Sequence, residues 1–146
     1  PCNAYGINDN YNINSSHFFP ALIRKIIESM RYNKDFIKIW GSGKPLREFL
    51  YVDDLANAIE FLILENIQED LLNIGSGEEI SIKDLAIEIS KIIDYKGEIE
   101  FDNSKPDGNP RKLLDSSKIN KIGWSHKVNL EDGLRKTYSW YLDNIS

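Results

Sequence analysis

Cysteine, methionine and histidine are scarce: the 146 residues include one cysteine, one methionine and two histidines. A lone thiol, Cys2, excludes an intrachain disulfide framework and a cysteine-built zinc site, and it fits a reducing compartment. His17 and His126 stand far apart in the chain and in no metal-ligand spacing, so a histidine-built metal site is not expected. Long apolar runs are missing too, and no segment reads as a membrane span. Eighteen basic residues against 23 acidic ones leave a net charge of −5, which offers no long-range attraction to nucleic acid or to an acidic membrane surface. The opening Pro-Cys-Asn-Ala-Tyr-Gly has neither an initiator methionine nor the basic and apolar regions of a signal peptide. It reads as an internal start, part of a longer protein, and the expected compartment is the cytoplasm.

Phosphate-loop signatures are also lacking. No Gly-x-Gly-x-x-Gly occurs, so the cradle of a dinucleotide-binding fold is not in this chain. Gly41-Ser42-Gly43-Lys44 resembles a Walker loop only superficially, because its glycines lack the spacing and Pro45 would interrupt the helix that must face the phosphate.

What is present is ordinary for one soluble globular domain: 41% apolar and 28% charged residues. Asn3 to Ser16 is crowded with turn-forming residues and reads as a long polar loop. A helix is expected to follow, with Pro20 in its first turn and Ile23, Ile26, Ile27 and Met30 along one face. Phe36 to Trp40 and Glu48 to Val52 read as strands. Asp53 or Asp54 is expected to cap the next helix, with Leu55, Ala58, Ile59, Leu62 and Ile63 as its apolar stripe. Leu71 to Ile74 reads as a short buried strand, followed by a helix capped by Ser81 and Asp84. Glu98 to Phe101 reads as an exposed strand and Asp102 to Pro110, with two prolines, as a loop. A short helix stopped at Gly123 and a last one begun by Asn129 and Asp132 complete the pattern. Strands alternating with helices imply an α/β class with a small, largely parallel sheet.

The remaining chemistry is a set of cations and one aromatic in or beside loops: Lys25, Trp40, Arg47, Lys105, Arg111 and Lys112. Two phosphates need several donors, for which an arginine fork is well shaped, and a flat base or sugar needs an aromatic or apolar surface. Each residue alone has an ordinary explanation. Lys25 and Lys112 read as solvated, Trp40 as core, and Arg47 as a partner of Asp53 or Asp54. Only the joint pattern points to a nucleotide diphosphate.

Three stretches carry a resemblance: Pro1-Cys2-Asn3-Ala4-Tyr5-Gly6 through Ser15-Ser16-His17; Trp40-Gly41-Ser42-Gly43 through Arg47-Glu48-Phe49-Leu50-Tyr51-Val52-Asp53-Asp54; and Lys105-Pro106-Asp107-Gly108 through Asp115. Together they resemble the GDP-L-fucose synthase family of extended short-chain dehydrogenases, over essentially the whole chain. The resemblance implies the carboxyl-terminal, sugar-nucleotide-binding portion, residues 1–146, of a Rossmann-type enzyme. The amino-terminal NADP-binding domain, with the catalytic tyrosine, would lie outside this chain. The implied activity is NADPH-dependent epimerisation of GDP-4-keto-6-deoxymannose at C3 and C5, followed by reduction at C4. By the same resemblance, His17 is the acid near the epimerised carbons. Pro1, Cys2, Asn3, Ala4 and His17 would line the NADP(H), and Lys25, Trp40, Arg47 and Lys105 would hold the GDP-sugar. A homodimer is implied, and the isolated chain is expected to be inactive. The sequence departs from the family pattern at Ile7, where a proline is usual, and at Phe18 and Phe19, where smaller aliphatics are. Another nucleotide-sugar epimerase, dehydratase or 4-reductase, or a nucleotide-sugar-binding domain without activity, stays open.

Overall fold

A computed structural model describes residues 1–145. Its centre is strand β3 (Leu46–Tyr51), to which three other strands hydrogen-bond. Strand β1 (Asn3–Tyr5) runs parallel to it with Asn3 opposite Phe49, and β4 (Glu79–Ser81) runs antiparallel with Leu46 opposite Ser81. The short β6 (Arg111–Lys112) is parallel, placing Arg111 opposite Leu46 and Lys112 opposite Arg47. A second sheet pairs β2 (Phe36–Trp40) with β5 (Glu98–Asp102), also in parallel. The α/β class and the mostly parallel pairing agree with the sequence, but the strands form two sheets and β4 runs against its neighbour.

Among the described residues, five helices cover these sheets: α1 (Phe18–Arg31), α2 (Val52–Leu64), α3 (Ile82–Ile93), α4 (Ser117–Ile122) and α5 (Leu130–Asn144). The caps follow the sequence signals. Ser81 accepts from the Asp84 N–H, Asn129 accepts from the Asp132 N–H, and Gly123, at φ 112°, stops α4 in a conformation that a side chain would disfavour. Ile23, Ile26 and Ile27 bury the inner face of α1 against Leu85 and Ile89 of α3, Leu134 of α5 and Ile37 and Ile39 of β2. A smaller cluster joins Leu50 of β3, Ala58 of α2, Ile119 of α4, Ile74 and Trp124.

Four expectations change. Asn3 to Tyr5 is a strand within what reads as a polar loop, because its place is set by pairing with β3 rather than by alternation. Leu71 to Ile74 forms no strand: Leu71 is 77% exposed, and the segment's link to β1 is the Cys2 N–H donating to the Ile74 carbonyl at 2.9 Å. Neither Asp53 nor Asp54 caps α2, whose N-cap is Tyr51. Asp54 turns inward instead, buried, where it accepts from the N–H groups of Lys127 and Val128 at 3.0 and 2.9 Å. Finally, the apolar stripe of α2 is only half covered. Ala58 is buried, yet Ile63 is 72% exposed, since nothing among the described residues packs over that side.

Candidate functional site

A cavity of about 600 Å³ opens where β1, the head of α1, β3 and the segment around β6 meet. It is lined by Cys2, Asn3 and Ala4 at β1, His17 and Phe18 at the head of α1, Trp40 at the end of β2, Arg47 of β3, and Asp107 and Lys112.

Hydrogen bonds tie down the start of β1. Asn3 donates its amide Nδ2 to the Glu48 carbonyl at 2.8 Å, and Cys2 is tied to Ile74. Burial, aided by the nearby Glu48 carboxylate, pushes the Cys2 thiol up to about 11, so it stays protonated and unreactive at neutral pH. Pro1 is exposed and lies off the wall.

His17 is the N-cap of α1, and its side chain makes no capping hydrogen bond. A histidine serving only to satisfy the helix entry would spend its ring there; this one faces the cavity. Of the two phenylalanines after it, Phe19 is core, packed on Tyr5 and Phe49 with ring centroids 4.3 and 4.9 Å away. Phe18 is half exposed and lines both this cavity and a smaller hollow of about 180 Å³ bounded by Leu22, Lys25, Ile39 and Trp40.

Trp40 ends β2 with 71% of its surface exposed, so it is not the core residue its position suggests. It forms the partition between cavity and hollow. The Lys105 ammonium stands over its ring, 5.5 Å from the centroid, a cation–π distance. Lys105 thus sits on the rim at Trp40 rather than on the cavity wall. Lys25 lines the hollow, its ammonium donating to the Lys38 carbonyl at 2.8 Å.

Arg47 pairs with no carboxylate among the described residues; its guanidinium donates to the Leu46 carbonyl at 2.7 Å. The suggested pairing with Asp53 or Asp54 does not form. Arg111 and Lys112 divide, as neighbours on a strand must. Arg111 makes a two-point bond to Glu79, at 2.7 and 2.6 Å, which holds the Glu79 carboxyl below its usual range. Lys112 reaches the cavity wall beside Arg47. Lys112 is exposed, as its solvated reading requires, and as a member of the joint cationic set it also lines the cavity. Asp107 looks out of place beside these cations. Both its oxygens, however, are taken by Ser42, which donates from its N–H at 2.5 Å and its hydroxyl at 2.8 Å.

The arrangement combines Arg47 and Lys112 on a cavity wall with an exposed indole and an apolar hollow next door. It suits a ligand with an anionic centre and a flat end, and His17 lines the same cavity. No cluster of three potential metal ligands occurs among the described residues, and none of the helices described there is long and apolar enough to cross a membrane.

The sequence pattern of the NAD dependent epimerase/dehydratase family matches residues 1–75, and the chain belongs to that family. Within it, the chain is similar to GDP-L-fucose synthase 1 of Arabidopsis thaliana, with 47% identity over 145 residues, 99% of this chain and 45% of that protein. Among solved structures it resembles a GDP-L-fucose synthetase from Naegleria fowleri bound to NADP, with TM-score 0.89 and 28% identity over 97% of this chain and 45% of that one. It also resembles a GDP-6-OMe-4-keto-L-xylo-heptose reductase from C. jejuni, with TM-score 0.84 and 31% identity over 97% of this chain and 52% of that one. The chain therefore spans about half the length of the relatives it matches.

Proposed function

We propose that this chain is the sugar-nucleotide-binding portion of an NADPH-dependent GDP-4-keto-6-deoxymannose 3,5-epimerase/4-reductase, making GDP-L-fucose or a closely related GDP-6-deoxy-sugar. The observation that carries it is the convergence of Arg47 and Lys112 on one cavity, with the Trp40 and Lys25 hollow adjoining. The diphosphate lies against the two cations, and the guanine fills the hollow between Phe18, Leu22 and Trp40. The 4-keto group acidifies the carbons beside it, so an acid and a base suffice to invert C3 and C5. His17 supplies a proton at those carbons.

NADP(H) fits this chain only in part. Cys2, Asn3, Ala4 and His17 all line the cavity, where its reacting end can lie. No glycine-rich cradle for its pyrophosphate is present in the sequence. When bound, the cofactor supplies hydride to the ketone. We assign its main binding surface and the catalytic tyrosine to an amino-terminal domain like that of the relatives, and the exposed edge of α2 supports contact with such a domain. The full-length protein on this reading is a cytoplasmic homodimer, and the chain alone is inactive. A related GDP-heptose remains within the same chemistry, since Phe18, where smaller aliphatics are usual, lines the cavity. The deciding experiment is NMR product analysis of the full-length protein with NADPH and GDP-4-keto-6-deoxymannose. Formation of GDP-L-fucose supports the proposal; an unaltered substrate refutes it.

A further inference from the structure

Glu48 follows Arg47 on β3 and is fully buried, with no cation within ion-pairing distance among the described residues. Its carboxylate is held by main chain alone. Oε1 accepts from the Gly77 N–H at 2.7 Å, and Oε2 accepts from the Leu114 N–H at 2.9 Å. The Glu48 carbonyl takes the Asn3 amide, so one residue ties β1, the turn at residues 75–77 and the chain leaving β6 to the central strand. The fit is close: a Cβ on Gly75 would run into Oε1. Burying a carboxylate without a counter-charge is costly, and an apolar side chain would fill the space at less expense. What the carboxylate achieves, and an apolar group could not, is a fixed register for the segment carrying Lys112.

Asp54 provides an internal comparison. It makes the same kind of twin bond, to Lys127 and Val128, but the chain it grips leads into α5 and contributes no wall to the cavity. Two buried carboxylates six positions apart thus do similar structural work, and only one of them holds a cavity residue in place.

We infer that Glu48 is a positioning residue for the nucleotide site, holding the 111–114 segment against β3 so that Lys112 and Arg47 converge on one anion. This deepens the nucleotide-sugar reading and rests on it. The test is calorimetric binding of GDP and, separately, UDP to the full-length protein, so that the base preference is read independently of the role of Glu48. Whichever nucleotide binds the wild type serves as the probe. Glu48→Gln presents an amide to a donor it should accept from, and it is expected to weaken binding about tenfold, the loss of one charge-assisted hydrogen bond. Asp54→Asn should lower the melting temperature and leave that affinity unchanged. In a Lys112→Ala background the Glu48→Gln effect should vanish, because the cation it positions is gone. An affinity unchanged in Glu48→Gln, or an equal loss with and without Lys112, overturns the inference. If Glu48→Gln does not fold, Gly75→Ala decides, since its Cβ displaces Oε1 without removing charge: weakened binding supports the role and wild-type affinity refutes it. A wild type that binds neither nucleotide refutes both this inference and the function it rests on, whereas UDP binding with the expected Glu48→Gln loss refutes the guanine assignment alone.

Discussion

Asp107 bridges from the loop after β5 to the turn after β2, where Ser42 donates to it twice, from its N–H and from its hydroxyl. The clasp fastens the loop that carries Lys105 over Trp40, and it explains the conformation of Gly41, at φ 85°, where a Cβ would strike the Asp107 carboxylate.

A pH dependence follows from the clasp. The two Ser42 bonds hold the Asp107 carboxyl below its ordinary range. A lowered folded-state pKa means the contact is intact above the unfolded value and is lost as pH falls through the folded one. The loop should therefore stay fastened from neutral pH down through the usual carboxylate range and open only in stronger acid. Trp40 fluorescence, taken as the difference between wild type and Trp40→Phe, reports it. A transition at or above the ordinary carboxylate range would contradict the clasp, and Gly41→Ala should show the open signal at every pH.

Arg47→Ala in the full-length protein should weaken GDP binding by about 1.5–3 kcal/mol, the worth of a hydrogen bond to a charged group. Among the described residues Arg47 has no carboxylate partner to leave stranded, so the melting temperature should hold. Calorimetry giving wild-type GDP affinity in a folded variant would return Arg47 to a structural role.

His17→Asn should impair epimerisation far more than hydride transfer, because inversion needs a proton delivered to carbon and a carboxamide cannot deliver it. The helix entry should survive, as the imidazole caps nothing. Single-turnover reactions in deuterated water, followed at C3 and C5, measure this. Retained reduction with lost exchange is expected; wild-type exchange at both carbons would remove His17 from the mechanism.

Gly133→Ala should destabilise the fold, although alanine normally gains about 1 kcal/mol over glycine inside a helix. Here α5 crosses so close that the added methyl would strike the Tyr5 hydroxyl and approach a Tyr51 ring carbon at 3.1 Å. Overpacking of this kind costs about 1–3 kcal/mol. Urea denaturation checks the sign, and a more stable variant would show that α5 can move away freely.

Much of this was legible in the chain itself. The stripe Ile23, Ile26 and Ile27, the Ser81 and Asn129 caps, the Gly123 stop and the proline-bearing loop before Pro110 all act within a few residues of themselves. Periodicity and capping are therefore written locally. The order of the motifs likewise pointed to the family.

The tertiary structure alone decided which charges face the cavity. Glu48 meets its donors 29 and 66 residues away, Asp54 meets one 73 residues away, and β1 becomes a strand only against β3. The same holds for Lys112 lining the cavity while Arg111 takes Glu79, and for Trp40 standing exposed at the end of β2. Local preference cannot settle these: the donors that Glu48 and Asp54 meet are brought by distant segments, and the facing of residues on the two- and three-residue strands β6 and β1 is set by their pairing with β3.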